Sequence, residues 1–173
     1  CLAEFDRLDL IYTGHVATPP YHILSSSPVE HLADLQGMRL RSGSPANARW
    51  ISAMGGVPVQ MSVNDQLEAI SNGLLGGTLN PDSSLAGWRL GEVVGYVTAL
   101  STGTYQAGVP FALRAQTWAE LTADQRREVV RAAVMGTANY NPLTVAVGEQ
   151  AVAEYTASHG LRYIQPAQDL LDA

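Results

Sequence analysis

The chain has 173 residues, 46% of them hydrophobic and 15% charged, which is enough length and apolar content for a folded core and argues against disorder. Net charge is −6, and the ten basic residues, all arginine, cluster in sequence only at Arg39 with Arg41 and at Arg126 with Arg127, so nucleic acid is not an expected partner. No run of about twenty apolar residues could span a bilayer, and the single cysteine, Cys1, excludes an internal disulfide.

Short β-branched and aromatic runs alternate with helical patterns bounded by Gly and Pro, which predicts an α/β fold. Strands are expected at 8–13 and 21–25, a short helix at 28–35, a strand at 38–41, and a helix at 44–54 that Gly55 and Gly56 end. A strand at 57–60 leads to a helix at 65–71, capped by Ser62 or Asn64 and closed by Gly73, and then to a strand at 74–79. A broken helix at 83–93 and strands at 94–100 and 105–113 follow, the last weakened by Gly108 and Pro110. Thr122 with Gln125 three residues on forms a capping box. It opens a long helix whose stripe of Val129, Val130, Ala133 and Val134 is expected to be buried, with Arg126, Arg127, Glu128 and Arg131 solvated. Pro142 kinks this helix or divides it from a second one running to Ser158. His159 and Gly160 then end it, before a strand at 161–164 and a short terminal helix.

Signatures of the common catalytic sites are missing: no HExxH, GxSxG, Walker loop, GxGxxG or paired cysteines. Histidines 15, 22, 31 and 159 match no metal-ligand spacing and read as structural or exposed; neither a metal nor a cofactor is implied. Trp50, Trp88 and Trp118 read as packing residues, with Trp50 a candidate for lining a binding cleft. More informative is the stretch HLADLQGMRLRS, where a helix hands over to a strand and period-two alternation puts Arg39 and Arg41 on one face. A guanidinium there could hold a carboxylate through two parallel hydrogen bonds, or form a surface salt bridge; the pattern leaves both open.

The runs DLQGMRLRS, AMGGVPVQMS and LEAISNGLLGGTLNP, then Trp118, Leu121, Thr122 and HGLRYI, resemble in order and spacing the substrate-binding proteins of TRAP (tripartite ATP-independent periplasmic) transporters, the DctP-like family. The likeness covers nearly the whole chain. It implies a type II periplasmic-binding fold, with two α/β lobes around a cleft and a long lobe-spanning helix. The implied division is the end of the first lobe at 1–18, the second lobe at 19–104, a return through the first lobe at 105–145 and re-entry to the second at 146–173. On that comparison Cys1 falls mid-chain and the beginning of the first lobe is missing, which displaces the lipid-anchored reading that a cysteine at position one invites.

In the family, the arginine closing the first motif binds the ligand carboxylate and the asparagine of the last motif contacts the same ligand; Arg41 and Asn80 occupy those places. Tyr21 stands where sialic-acid-binding members carry a second arginine, and Val63 where they carry an aromatic residue. Gly76 and Leu79 replace two usual acidic residues. These departures imply a smaller or more apolar acid than sialic acid, with Arg49 or His22 as further polar contacts. The resemblance therefore implies a monomeric periplasmic solute-binding protein, not an enzyme, that captures an organic acid and delivers it to the membrane subunits. The alternatives are a sensor domain of a regulator or receptor with the same architecture, and an α/β enzyme whose site is not legible.

Overall fold

In chain order the elements are α1 (Leu2–Arg7), β1 (Leu10–Ala17), β2 (His22–Ser25), β3 (Arg39–Ser42), α2 (Pro45–Ala53), β4 (Val57–Gln60), α3 (Gln66–Ser71) and β5 (Gly77–Asn80). They continue with α4 (Ser84–Gly87), β6 (Tyr96–Thr98), β7 (Gly108–Arg114), α5 (Ala115–Glu120), α6 (Ala123–His159), β8 (Arg162–Ile164) and α7 (Gln168–Leu171). This computed structural model describes residues 2–100 and 106–173; the expected strand start at Tyr105 and the reading of Cys1 lie outside them. Contacts divide the chain into two units: Cys1–Thr18 with Ala107–Thr144, and Pro19–Gln106 with Val145–Ala173.

The second unit is built on a six-stranded sheet in the order β4-β3-β5-β2-β6-β8. Only β2 runs against its neighbours, β5 and β6; the pairs β3/β4, β3/β5 and β6/β8 are parallel. Helices cover both faces, so the central strand has no solvent side, and Ile23 and Leu24, adjacent in β2, are both fully buried. Leu24 packs with Ile70, Leu85, Val97 and Ala151 on one face. Ile23 packs with Leu40, Ile51, Leu79 and Leu170 on the other.

Local chemistry sets most boundaries. The Ser44 side chain accepts from the Asn47 N–H at 3.2 Å, and Pro45 opens α2 where no backbone donor is needed. Gly55, with φ +84°, turns the chain out of that helix as the sequence requires. The expected helix at 28–35 is reduced to one 3-10 turn, Leu32–Leu35, because the Asp34 carboxylate accepts from the Glu30 and His31 N–H groups and holds the preceding segment in a turn. The strand expected at 74–79 begins only at Gly77, since Leu75 is tied back to the Ala69 carbonyl.

In the first unit β1 pairs antiparallel with β7, from Leu10 opposite Arg114 to Ala17 opposite Gly108. The capping box forms as expected: Thr122 N–H donates to Gln125 Oε1 at 2.8 Å, and Gln125 N–H to Thr122 Oγ1 at 3.3 Å. Two expectations for α6 are corrected. Pro142 does not divide it, and one helix runs over all 37 residues from Ala123 to His159. Proline removes a single rung, and the ladder on either side is long enough to carry the helix through. Of the four-residue stripe only Ala133 is buried, while Val130 and Val134 are 42% and 60% exposed. The packed line is Ala133 and Gly136, where an added Cβ on Gly136 would lie 3.4 Å from Phe111 and one on Gly14 would lie 3.3 Å from Ala133. A two-stranded ribbon is too narrow to cover the flanking valines as well.

Candidate functional site

Because β2 is reversed, one edge of the second unit's sheet collects the carboxyl ends of β3 and β5 and the amino end of β2. In open α/β sheets this edge is where ligands bind. Register then places side chains on faces: Arg41 and Leu24 both stand opposite Thr78, and His22 stands opposite Asn80. Alternation within β5 puts Thr78 and Asn80 on the same face, so Arg41, Thr78, Asn80 and His22 share the face to which Leu24 contributes.

Arg41 is half-buried. Its Nε donates to the Met61 carbonyl at 3.3 Å, which fixes the guanidinium. The group lies against Gly43, where a Cβ would be 2.9 Å from Nη2 and 3.0 Å from Nη1. No ion pair among the described residues involves Arg39 or Arg41. Burial pushes the Arg41 pKa down and the Tyr21 phenol pulls it back up, but arginine stays charged throughout. The amino end of α2 follows three residues after Ser42, adding its positive end to the same neighbourhood.

Asn80 is 4% exposed and belongs to a buried polar triangle. Its Nδ2 donates to Gln66 Oε1 and to Thr78 Oγ1, each at 2.9 Å, and the Thr78 hydroxyl donates to Gln66 Oε1 at 3.1 Å. Gln66 and Thr78 are fully buried, and Gln66 Nε2 is a buried donor without a partner among the described residues. Beyond Asn80, Tyr163 donates to Asp82 Oδ2 at 3.0 Å, and the Leu100 N–H donates to His22 Nδ1 at 3.1 Å. Burial lowers the His22 pKa, against the pull of Asp82, and raises that of Asp82, against the pull of His22 and Tyr163. The neutral imidazole therefore carries its proton on Nε2, since Nδ1 is an acceptor.

The structure thus brings Arg41 and Asn80 to one face and edge. Val63 is half-buried two residues after Met61, whose carbonyl anchors Arg41. Tyr21 and Trp50 pack partly buried against the cluster of Ile23, Leu40 and Leu79, on the other face, although Tyr21 sits close enough to Arg41 to pull its pKa upward. Arg49 is exposed on α2. Sequence reasoning missed Gln66, Thr78 and Asp82. The i, i+2 spacing of Thr78 and Asn80 in a strand was the available signal; nothing local announced Gln66. A second arginine-rich surface, a concavity of about 570 Å³ lined by Trp118, Arg126, Arg127, Glu128 and Arg131, is a solvated helix face. There Arg126 caps the Trp118 and Ala119 carbonyls, and Arg127 and Arg131 pair with Asp124 and Glu128. No group of acidic, histidine and cysteine side chains suited to a metal occurs among the described residues, and no described helix is long and apolar enough to cross a membrane.

The family model described as DctP, bacterial extracellular solute-binding protein, family 7, matches residues 21–171. A solute-binding protein of Roseobacter denitrificans is 30% identical over 118 residues, which is 68% of this chain and 36% of that protein. The C4-dicarboxylate-binding periplasmic protein DctP of Rhodobacter capsulatus is 26% identical over 129 residues, 74% of this chain and 38% of that protein. Among solved structures, a TRAP periplasmic solute-binding protein from Citrobacter koseri with bound D-glucuronate superposes with TM-score 0.86 at 22% identity, over 99% of this chain and 56% of its own. One from Shewanella oneidensis with bound succinate gives 0.87 at 18% identity, over 99% and 57%. These likenesses establish the type II periplasmic-binding fold, and the chain spans little more than a third of the curated relatives' length. It belongs to the DctP family of bacterial extracellular solute-binding proteins, the periplasmic TRAP family that its ordered motifs resemble.

Proposed function

We propose that the protein captures an organic acid in the periplasm and delivers it to TRAP membrane subunits, with Arg41 gripping the carboxylate and Asn80 supplying a directional hydrogen bond to the ligand. The observation that carries this reading is a half-buried arginine with no acidic partner among the described residues, tethered by Nε alone, at the ligand-binding edge of an α/β sheet. Its two Nη groups match the two oxygens of a carboxylate, and partial burial strengthens the attraction that water would otherwise screen. Val63 is assigned to the wall beside Arg41, and Tyr21 and Trp50, which pack on the other sheet face, are assigned to the border of the site at the sheet edge. Binding involves no covalent step. Residues 19–104 and 146–173 are assigned to the second lobe, and 1–18 with 105–145 to the first. Acids bound in relatives span a sugar acid and a C4 dicarboxylate, so the family sets the class and this chain's own contacts must select the member.

The test is native mass spectrometry of the protein expressed from its complete gene, followed by thermal shift with a panel of mono- and dicarboxylates. A co-purified acid of unchanged structure, or a melting temperature raised by members of the panel, is the expected result. Chemical conversion of the bound acid, or no bound acid and no shift with any carboxylate, would refute it.

A further inference from the structure

An amide nitrogen has two hydrogens, and both hydrogens of Asn80 Nδ2 are committed inside the protein, to Gln66 Oε1 and Thr78 Oγ1. None is left for a ligand. The Asn80 Oδ1 accepts from no donor among the described residues and, unlike Gln66 Nε2, is not sealed in the core. What Asn80 offers outward is therefore an acceptor. An acceptor repels a carboxylate oxygen and needs a hydroxyl or N–H opposite it.

The orientation is held from behind. Gln66 is fully buried at the first residue of α3, and Thr78 lies two residues before Asn80 on the same strand face, so neither can swing away without opening the core. The Thr78 hydroxyl donates to Gln66 Oε1, which leaves the Thr78 lone pairs to receive Asn80 and closes the triangle. We infer that Gln66 and Thr78 are positioning residues that turn the Asn80 carbonyl oxygen toward the ligand, so that the site selects a carboxylic acid bearing a hydroxyl or N–H donor over the corresponding plain acid. This rests on Arg41 and Asn80 forming the ligand site. Turning both side-chain amides over would make as many bonds but present an N–H, which favours the plain acid; ligand chemistry separates the two arrangements.

Matched acids provide the test: malate against succinate, lactate against propionate, and mandelate against phenylacetate, titrated calorimetrically into the complete protein. The donor-bearing member of at least one pair binds about ten-fold more tightly or better. In Gln66→Met and in Thr78→Val that preference falls to about three-fold or less. Gln66→Glu, whose carboxylate can only accept, keeps the hydroxyl preference; loss of packing alone would not discriminate among these variants. Equal binding of both members of every pair overturns the inference and leaves the carboxylate reading standing, as does a preference that survives in both Gln66→Met and Thr78→Val. Failure of all six acids to bind refutes the carboxylate reading itself, and this inference with it.

Discussion

Replacing Arg41 tests the site most directly. The Nε of Arg41 is already spent on the Met61 carbonyl at 3.3 Å, so a ligand meets only the two Nη groups, and one bidentate contact is the most that can be lost. Each hydrogen bond to a charged group contributes about 1.5–3 kcal/mol, so Arg41→Ala, which removes up to two of them, should weaken acid binding by about ten-fold or more. Arg41→Lys keeps the charge but loses the planar fork and the Nε tether, and should fall between the two. Gly43→Ala probes the same contact from beneath: its Cβ would stand 2.9 Å from Nη2, and the guanidinium must shift to admit it. Calorimetric titration measures all three, with circular dichroism to verify the fold. A dissociation constant for Arg41→Ala within about two-fold of the parent's, in a folded protein, would remove Arg41 from the site.

Two further outcomes follow from the surroundings of the site. Burial holds His22 below its ordinary pKa of 6.5, so the unfolded chain accepts a proton that the folded chain refuses, and stability should fall as pH drops below 6.5. Asp82, raised by burial, acts in the opposite sense at lower pH: its contribution is fully present below 3.8 and is lost as pH rises through its folded value. His22→Asn keeps an acceptor for the Leu100 N–H at the place of Nδ1 and removes the titration, so urea midpoints measured between about pH 5 and 7 should lose part of their slope; an unaltered slope would mean that His22 titrates normally. Separately, a Cβ on Gly77 would lie 2.3 Å from the Leu24 carbonyl, which is backbone and cannot yield. Gly77→Ala should therefore force β5 away from β2 and cost about 1–3 kcal/mol in chemical unfolding, and a midpoint equal to the parent's would show that the strand pair has slack there.

The parts of this fold that were legible in the sequence are those decided by neighbours along the chain. Ser44 and Pro45 announce α2, Thr122 with Gln125 announces α6, and Gly55 announces a helix end, because each satisfies or frees backbone groups within a few residues. Ordered motifs extended that reach to Arg41 and Asn80. The failures are all questions of what lies opposite. Val130 and Val134 carry the right spacing for a core and remain exposed, since burial depends on the width of the sheet they meet. Pro142 reads as a break only if the turns around it are weak. The sheet face on which Trp50 packs, with Ile23 and Leu79, was likewise not specified by helix periodicity.

Gln66, Thr78 and Asn80 raise a different question, because a core as apolar as this one does not need them. An apolar trio of similar volume would fill the space without the desolvation of two amides and a hydroxyl, and such replacements are often neutral or stabilising. The triangle instead leaves Gln66 Nε2 buried and without a partner among the described residues, and Arg41, in register with Thr78, is partly desolvated with no carboxylate paired to it among them. Both costs fall at one sheet edge, and both concern groups that a ligand with a carboxylate and a donor would engage or hold in place. Features that are expensive for folding and adjacent in space are best explained by what they bind. A ligand that satisfies them adds its binding free energy to the stability of the folded chain. The strength of the site and the marginal local cost of keeping it are then two readings of the same buried polar contacts.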